Sequence, residues 1–439
     1  MSNDNLTKVL IVTYYWPPSS GSGVQRWMYF AKYLSAYGIT PIILTVDPDK
    51  ASYRKTDQSF NDFIQEVQVY RTKTLEPLKL YSLLTTGSTR KGIPQGTVGA
   101  DKKGLFSKVS RYIRGNVFIP DARIGWKKYA VKEAKKIIKA HNIELVITTG
   151  PPHSTHLIGR VLHRLHGVKW IADLRDPWTE IYYKDDLLQS EKSQLKDRKL
   201  EQSVLEEATS IITIGPSMAE LLSNKIPSQK EKVRYIYNGY DAHKTNMIQA
   251  VKSKDNLVIS FVGLLTDAMP HTSFSQALRL FKQQNKNSKI KLRLVGDICD
   301  SFLDVLKSIL QPDQLEIVGY VAHKAALQFM HDADILFTCL PTQEHSKIMI
   351  SGKILEYMAT GNSILCIGDK ESDAAHILAK SDNSTTLAPE EIDTIKQFIE
   401  NKYNLWEVGK LSPTVTPAIK NLSRQNTTAE LAQLIKSIL

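Results

Sequence analysis

The sequence predicts an α/β protein built as two Rossmann-like, doubly wound domains that face an interdomain cleft. Three observations carry this expectation. Short continuous apolar runs, of the kind parallel sheets bury on both faces, alternate with helical patterns. The alternation runs twice, once from Lys8 and again from Leu257, on either side of a polar stretch. The chain has 439 residues, more than one compact core holds, so two domains of about 200 residues are the natural division. The expected boundaries are 1–241 for the first domain, with a basic insertion at about 75–123, then 242–256 for the linker, 257–420 for the second domain and 421–439 for a closing helix.

Taken in order, Lys8–Thr13 reads as a buried strand that enters the loop Tyr14–Gly23. A helix follows over Val24–Tyr37, stopped by Gly38, and Thr40–Val46 is the next strand. Gly21 and Gly23 let the backbone approach a ligand at the helix start. Glu66–Thr72 is a third strand. The insertion after it is rich in glycine, lysine and arginine, and within it Phe106, Val109 and Ile113 share one helical face while Lys108, Arg111 and Arg114 share the other. That pattern fits either a helix on an anionic membrane surface or one packed on the domain with a solvated basic face.

Trp126–Ala140 reads as a helix with an inner stripe of Val131, Ala134 and Ile138. Two strands then deliver polar groups at their carboxyl ends, where open parallel sheets bind ligands. Leu145–Thr149 leads to His153 and His156; Lys169–Ala172 leads to Asp173, Arg175 and Asp176. His153 suits an acceptor hydroxyl, and Asp173, Arg175 and Asp176 suit a polyhydroxyl acceptor. A structural histidine and a self-contained salt-bridge turn are the alternative readings. Glu191–Ala208 and Met218–Asn224 are helices, and strands occupy 210–214 and 233–237.

In the second half, Leu257–Val262 ends at Gly263, Phe274–Gln284 is a helix, Ile290–Val295 and Leu315–Gly319 are strands, Lys324–His331 is a helix and Ile335–Leu340 a strand. The stretch Ser351–Gly368 then reads as a small-residue loop, a short helix, a glycine break at Gly361 and a buried strand. Ser351 and Gly352 present free N–H groups at a helix N-terminus, where anions bind favourably, and Lys353 adds a positive charge. Glu356 is placed to accept hydrogen bonds from vicinal hydroxyls. The last helix, about Thr427–Ile438, carries apolar Leu431, Leu434 and Ile438 and must dock on another surface.

Composition narrows the classes. With 42% hydrophobic and 23% charged residues the chain is ordinary globular material. Cys299, Cys339 and Cys366 sit among apolar residues without metal-ligand spacing, so reduced thiols and no metal or other cofactor are expected. No apolar run approaches the ~20 residues of a membrane span, and no signal-peptide core is visible. The expected location is cytoplasmic, or peripheral on the inner face of the membrane. A net charge of +12 calls for an anionic partner: nucleic acid, a membrane surface or an anionic substrate. No helix-turn-helix, zinc-finger or aromatic RNA-binding pattern is present, which argues against nucleic acid.

The chain resembles the retaining glycosyltransferases of family four, which have the GT-B fold. The residues that carry the resemblance are Val9–Pro18 with Gly23-Val24-Gln25-Arg26, then Asp173–Thr179, Tyr237–Asp241, Phe261-Val262-Gly263 and Lys353–Gly361. It implies a donor site of Gly21, Gly23, Gly263, Ser351, Gly352, Lys353 and Glu356, an acceptor side of His153, Asp173, Arg175 and Asp176, and chemistry carried by His153, Asp173 and Lys353. It also implies that the last helix crosses back to the first domain. The reaction it implies moves a sugar from a nucleotide-sugar to a glycan or lipid-linked acceptor with retention, without a metal, as in cell-surface polysaccharide biosynthesis. Two departures stand out. The family places two glutamates seven residues apart; Glu356 matches the second, but Ile348 stands at the first, leaving Glu344 or Lys347 as substitutes. The family also places an arginine and a lysine after the glycine matched by Gly263, and residues 264–271 have neither. A sugar-nucleotide epimerase or hydrolase, and a non-catalytic GT-B-like binding subunit, are the competing expectations.

Overall fold

The computed structural model describes residues 7–53, 56–57, 60, 63–76, 111–113, 115–181, 187–341 and 346–439. The basic insertion lies largely outside them, and of its amphipathic segment only 111–113 are described. Two units emerge, Met1–Tyr237 with Thr427–Leu439, and Asn238–Asn426.

The first unit is built on seven strands, β1 (Thr7–Val12), β2 (Ile39–Val46), β3 (Gln68–Thr72), β4 (Leu145–Gly150), β5 (Lys169–Leu174), β6 (Ser210–Thr213) and β7 (Val233–Tyr235). Their order is β3-β2-β1-β4-β5-β6-β7 and every pairing is parallel. Val9–Val12 are fully buried because helices cover both faces, which explains why this strand reads as an unbroken apolar run. The order reverses between β1 and β4, so the loops after these two strands lie side by side at the ligand-binding end.

The second unit repeats the plan with β8 (Leu257–Val262), β9 (Ile290–Val295), β10 (Leu315–Gly319), β11 (Ile335–Cys339), β12 (Ser363–Ile367) and β13 (Ser384–Leu387). The order is β10-β9-β8-β11-β12-β13, again parallel, with the reversal between β8 and β11. Both sheets are doubly wound, as the twofold alternation predicts.

Several elements differ from the sequence reading. In the helix Lys127–His141 the buried stripe is Ala130, Ala134 and Ile137; Val131 and Ile138 only flank it. The stripe is one residue off because Ala130 is small enough to face β1 and β2 at close range. The segment expected as a linker contains the helix Ala242–Asn246, whose first turn is capped by the Asp241 carboxylate accepting the Lys244 N–H. The stretch between Gly368 and Thr427 holds the helices Asp373–Leu378 and Ile392–Glu407 with β13 between them. Ile395, Ile399 and Tyr403, spaced four apart on the longer helix, complete the second core.

The final helix, Arg424–Ile438, delivers Leu431, Ala432, Leu434 and Ile435 to the first unit's core, where they meet Trp27, Phe30 and Ile43. Leu431 and Ile435 are fully buried. Leu431→Ala is therefore expected to lower the unfolding free energy by about 2–5 kcal/mol, measured by urea denaturation; a loss below about 1 kcal/mol would show that the helix is not part of this core.

Candidate active site

In the second unit the centre of the site is the helix Gly352–Thr360. Its N-terminus is bare: Ser351 makes no side-chain cap, the first turn has no acidic residue, and Ser351 and Gly352 are exposed. Gly361 ends the helix at φ 72°. Tyr357 clamps the helix to the tip of β8, accepting the Val262 N–H at 2.8 Å and lying 3.2 Å from the Val262 carbonyl. Burial holds its hydroxyl well above the usual tyrosine range.

Lys353 lies one turn earlier on the same helical face. Its Nζ sits 4.2 Å from the centroid of the Phe261 ring, and among the described residues it has neither an ion pair nor a hydrogen bond. Burial lowers its pKa to about 8. An ammonium at an uncapped helix N-terminus is an arrangement that favours anions. Gly263, at φ +130°, keeps the space above it open; a Cβ there would stand 3.6 Å from Lys353 Nζ. Gly296, at φ +116°, packs so closely that a Cβ would come within 2.1 Å of the Gly263 carbonyl oxygen. Both loop tips therefore need glycine.

Glu356 is half-buried and hydrogen bonds to His323 Nε2 at 2.9 Å. His323 comes from a separate helix, His323–Asp332, and only the fold reveals the pair. Of the residues offered in place of the family's first glutamate, Lys347 pairs with Asp369 at 3.1 Å, and Glu344 lies outside the described residues. The unit also has a cavity of about 490 Å³ lined by Lys252, Asp334, Asn362 and Trp406. It opens at the amino-terminal ends of β11 and β12, away from Gly263 and Lys353.

In the first unit Asp173 is the hub. It is fully buried at the end of β5 and accepts hydrogen bonds from Trp27 Nε1 at 2.6 Å, Thr149 Oγ1 at 2.8 Å and Arg26 Nη2 at 3.2 Å. Arg26 also donates to the carbonyls of Ile236 and Thr213. Burial pulls the Arg26 pKa down, and Asp173 opposes the shift. Arg175 joins the two loops at the strand-order reversal, donating to the Gly150 carbonyl at 3.1 Å, Gly23 at 2.7 Å and Pro151 at 3.2 Å. Gly23 is thus tied into this clamp, whereas Gly21 stands at an exposed tip with φ +114°.

His153 stacks on Trp178, with ring centroids 4.8 Å apart and planes at 13°. Trp178 is anchored by Asp197 at 2.7 Å. The turn holding His153 is capped by Asp121, which accepts the Ser154 N–H and hydroxyl. His156 is fully buried beside Thr148, and burial together with Arg175 lowers its pKa to about 3, so it is a neutral structural imidazole. Asp176 is half-buried, and desolvation, with a contribution from Asp173, raises its pKa against the pull of Arg175. Thr179 and Glu180 bind Glu201 and Lys225, so this end of the turn is a salt-bridge cap.

Two consequences can be measured. Because the folded-state pKa of Lys353 is lowered, its charge opposes folding below about 8, and the opposition fades as pH climbs toward the ordinary lysine value of 10.5. Lys353→Met is expected to raise the melting temperature at pH 7 and to lose that advantage by the upper end of this range; an equal gain at every pH would contradict the assignment. Asp173→Asn leaves the Arg26 charge buried without its counter-ion and is expected to cost about 3–5 kcal/mol in chemical denaturation.

Comparison with known proteins agrees with this architecture. Residues 95–244 match the model of Glycosyltransferase Family 4. No curated protein matches the chain in sequence. Among solved structures, a glycosyltransferase from Rickettsia africae aligns over 99% of each chain at 14% identity with a TM-score of 0.60. HepE of Anabaena in complex with UDP aligns over 98% of this chain and 100% of its own at 14% identity, TM-score 0.57. A putative UDP-N-acetylglucosamine 2-epimerase from Listeria monocytogenes aligns over 98% and 96% at 10% identity, TM-score 0.55. The family match covers about a third of the chain, and the likeness to these structures shows the fold: two doubly wound units of the GT-B kind.

Proposed function

We propose that the chain transfers a sugar from a nucleotide-sugar donor to a hydroxyl of a glycan or lipid-linked acceptor, with retention of anomeric configuration. The observation that carries the donor assignment is Lys353, a half-buried ammonium with no partner among the described residues, set at an uncapped helix N-terminus beside Gly263. A diphosphate is the anion this arrangement fits: two phosphates can share the helix N–H groups and the point charge. The complex of HepE with UDP makes a uridine donor the first to test. Glu356, held by His323, is assigned to the ribose hydroxyls.

The chemistry asked of the protein is modest. The leaving diphosphate gains charge as the glycosidic bond breaks, and Lys353 with the free N–H groups stabilises it. A departing phosphate oxygen can take the acceptor proton, so no protein nucleophile is needed. His153, stacked flat on Trp178, and Asp176, whose carboxyl is pushed up by burial, are the acceptor-side candidates. Asp173 acts through its neighbours, fixing Arg26, Trp27 and Thr149, and is a positioning residue. The excess of positive charge suits an anionic or membrane-proximal acceptor of the kind used in cell-surface polysaccharide synthesis.

A second reading, a sugar-nucleotide epimerase or hydrolase, is favoured by the likeness to the Listeria protein. A panel of nucleotide-sugars, screened by thermal shift and then assayed with and without acceptors, separates the two: consumption without acceptor supports the second reading, and binding without any turnover supports a binding subunit. Lys353→Ala and Glu356→Gln are each expected to abolish most transfer with the fold intact by circular dichroism. UDP affinity is expected to fall as pH rises above about 8 and to stay flat in Lys353→Arg; normal turnover in Lys353→Ala would sink the assignment.

A further inference from the structure

A separate cluster of metal-binding side chains lies at the same end of the second sheet. Asp267 and His271 follow β8, and Cys299 follows β9. A bridge between Leu265 and Ile298 holds the two loops together; the Leu265 N–H donates to Asp297 at 2.9 Å and the Cys299 N–H to Leu265 at 3.0 Å. This pairing brings a carboxylate oxygen, an imidazole nitrogen and the Cys299 sulfur within 4.8 Å of one another. His271 is 5% exposed and packs against Phe302 with ring centroids 5.0 Å apart. Neither of its ring nitrogens has a hydrogen-bond partner among the described residues. Its nitrogens are therefore open to a ligand from outside the chain. The Ser301 hydroxyl donates to Asp267 Oδ1 and lies 3.5 Å from Cys299 Sγ. It orients two members of the cluster in the way outer groups orient metal ligands.

We propose that Asp267, His271 and Cys299 form a site for a divalent metal of the zinc class, with a fourth position open to a phosphate oxygen. One thiolate, one imidazole and one carboxylate suit zinc and not magnesium or calcium, which prefer all-oxygen sites. Tetrahedral bonds of about 2.0–2.3 Å place ligand atoms roughly 3.3–3.8 Å apart. The cluster is within side-chain adjustment of that geometry. Three protein ligands with one open position is the arrangement of zinc sites that act on a substrate. The open position gains meaning from the loop sequence: residues 264–271 carry no lysine or arginine. The cation this loop can offer a diphosphate is the one its side chains bind. That last step rests on the donor reading; the metal site itself does not.

The test uses the full chain, freed of metal by a chelator and kept reduced, and titrated with cobalt(II) as a spectroscopic stand-in for zinc. One equivalent is expected to bind, giving thiolate-to-cobalt charge-transfer absorption and tetrahedral d–d bands that zinc then displaces. Cys299→Ser is expected to lose the charge-transfer band, and His271→Gln and Asp267→Asn to weaken binding by about tenfold or more. Cys339→Ala, at a thiol outside the cluster, is expected to leave the spectrum unchanged, with circular dichroism checking each fold. Absence of the band, or its survival in Cys299→Ser, overturns the site. UDP that shifts the d–d bands supports the open position. UDP that binds by calorimetry with the cobalt spectrum unchanged overturns that part. Cobalt uptake without any UDP binding counts against the donor reading and leaves the metal site standing.

Discussion

An ammonium with no carboxylate beside it among the described residues sets the terms for the second unit. Lys353 is brought onto the Phe261 ring because Tyr357, four residues later, fixes the helix to the backbone of Val262. Gly263 is a glycine because of its backbone angle, and Gly296 because a Cβ there would also strike the Gly263 carbonyl oxygen. The apolar strands beneath, β8, β11 and β12, are rigid on both faces and hold that geometry. Burial that lowers the lysine pKa works against folding, so the cost of this position is offset elsewhere in the unit.

The first unit handles charge in the opposite manner. Asp173 and Arg26 are both buried, and each finds its partners within the chain. Their network, with Trp27, Thr149 and the carbonyls of Thr213 and Ile236, joins β4, β5, β6 and the first helix at one point. Arg175 adds the loop after β1 to that assembly. His153 and Asp176, proposed for the acceptor side, stand next to this network in the chain. The buried carboxylate sets where those groups stand.

Much of this was legible in the residues. Continuous apolar runs marked nearly every central strand, since a parallel strand covered on both faces has no polar side to show. The glycine after β8 and the lysine of the short helix were readable because their chemistry is local. What escaped was long-range pairing. Asp173 reads in sequence as an acceptor-side carboxylate or part of a salt-bridge turn, and nothing nearby announces Trp27 and Arg26, 146 and 147 residues away. His323 reaches Glu356 across 33 residues. Asp267, His271 and Cys299 share no ligand spacing because β9 and a helix separate the third from the first two. On the helix Lys127–His141 the stripe was misplaced by one residue, since alanine packs closely where valine was expected to.

The order of the chain through its two units carries a further consequence. Residues 238–426 are bracketed on both sides by segments of the first unit. During synthesis the second unit emerges whole and can close its core at once. The first unit waits: Leu431, Ala432 and Ile435, which seal the surface around Trp27 and Phe30, are made only after residues 238–426. Until then an apolar face of the first sheet stays uncovered, open to chaperones or to aggregation. The first unit therefore closes its core after the second.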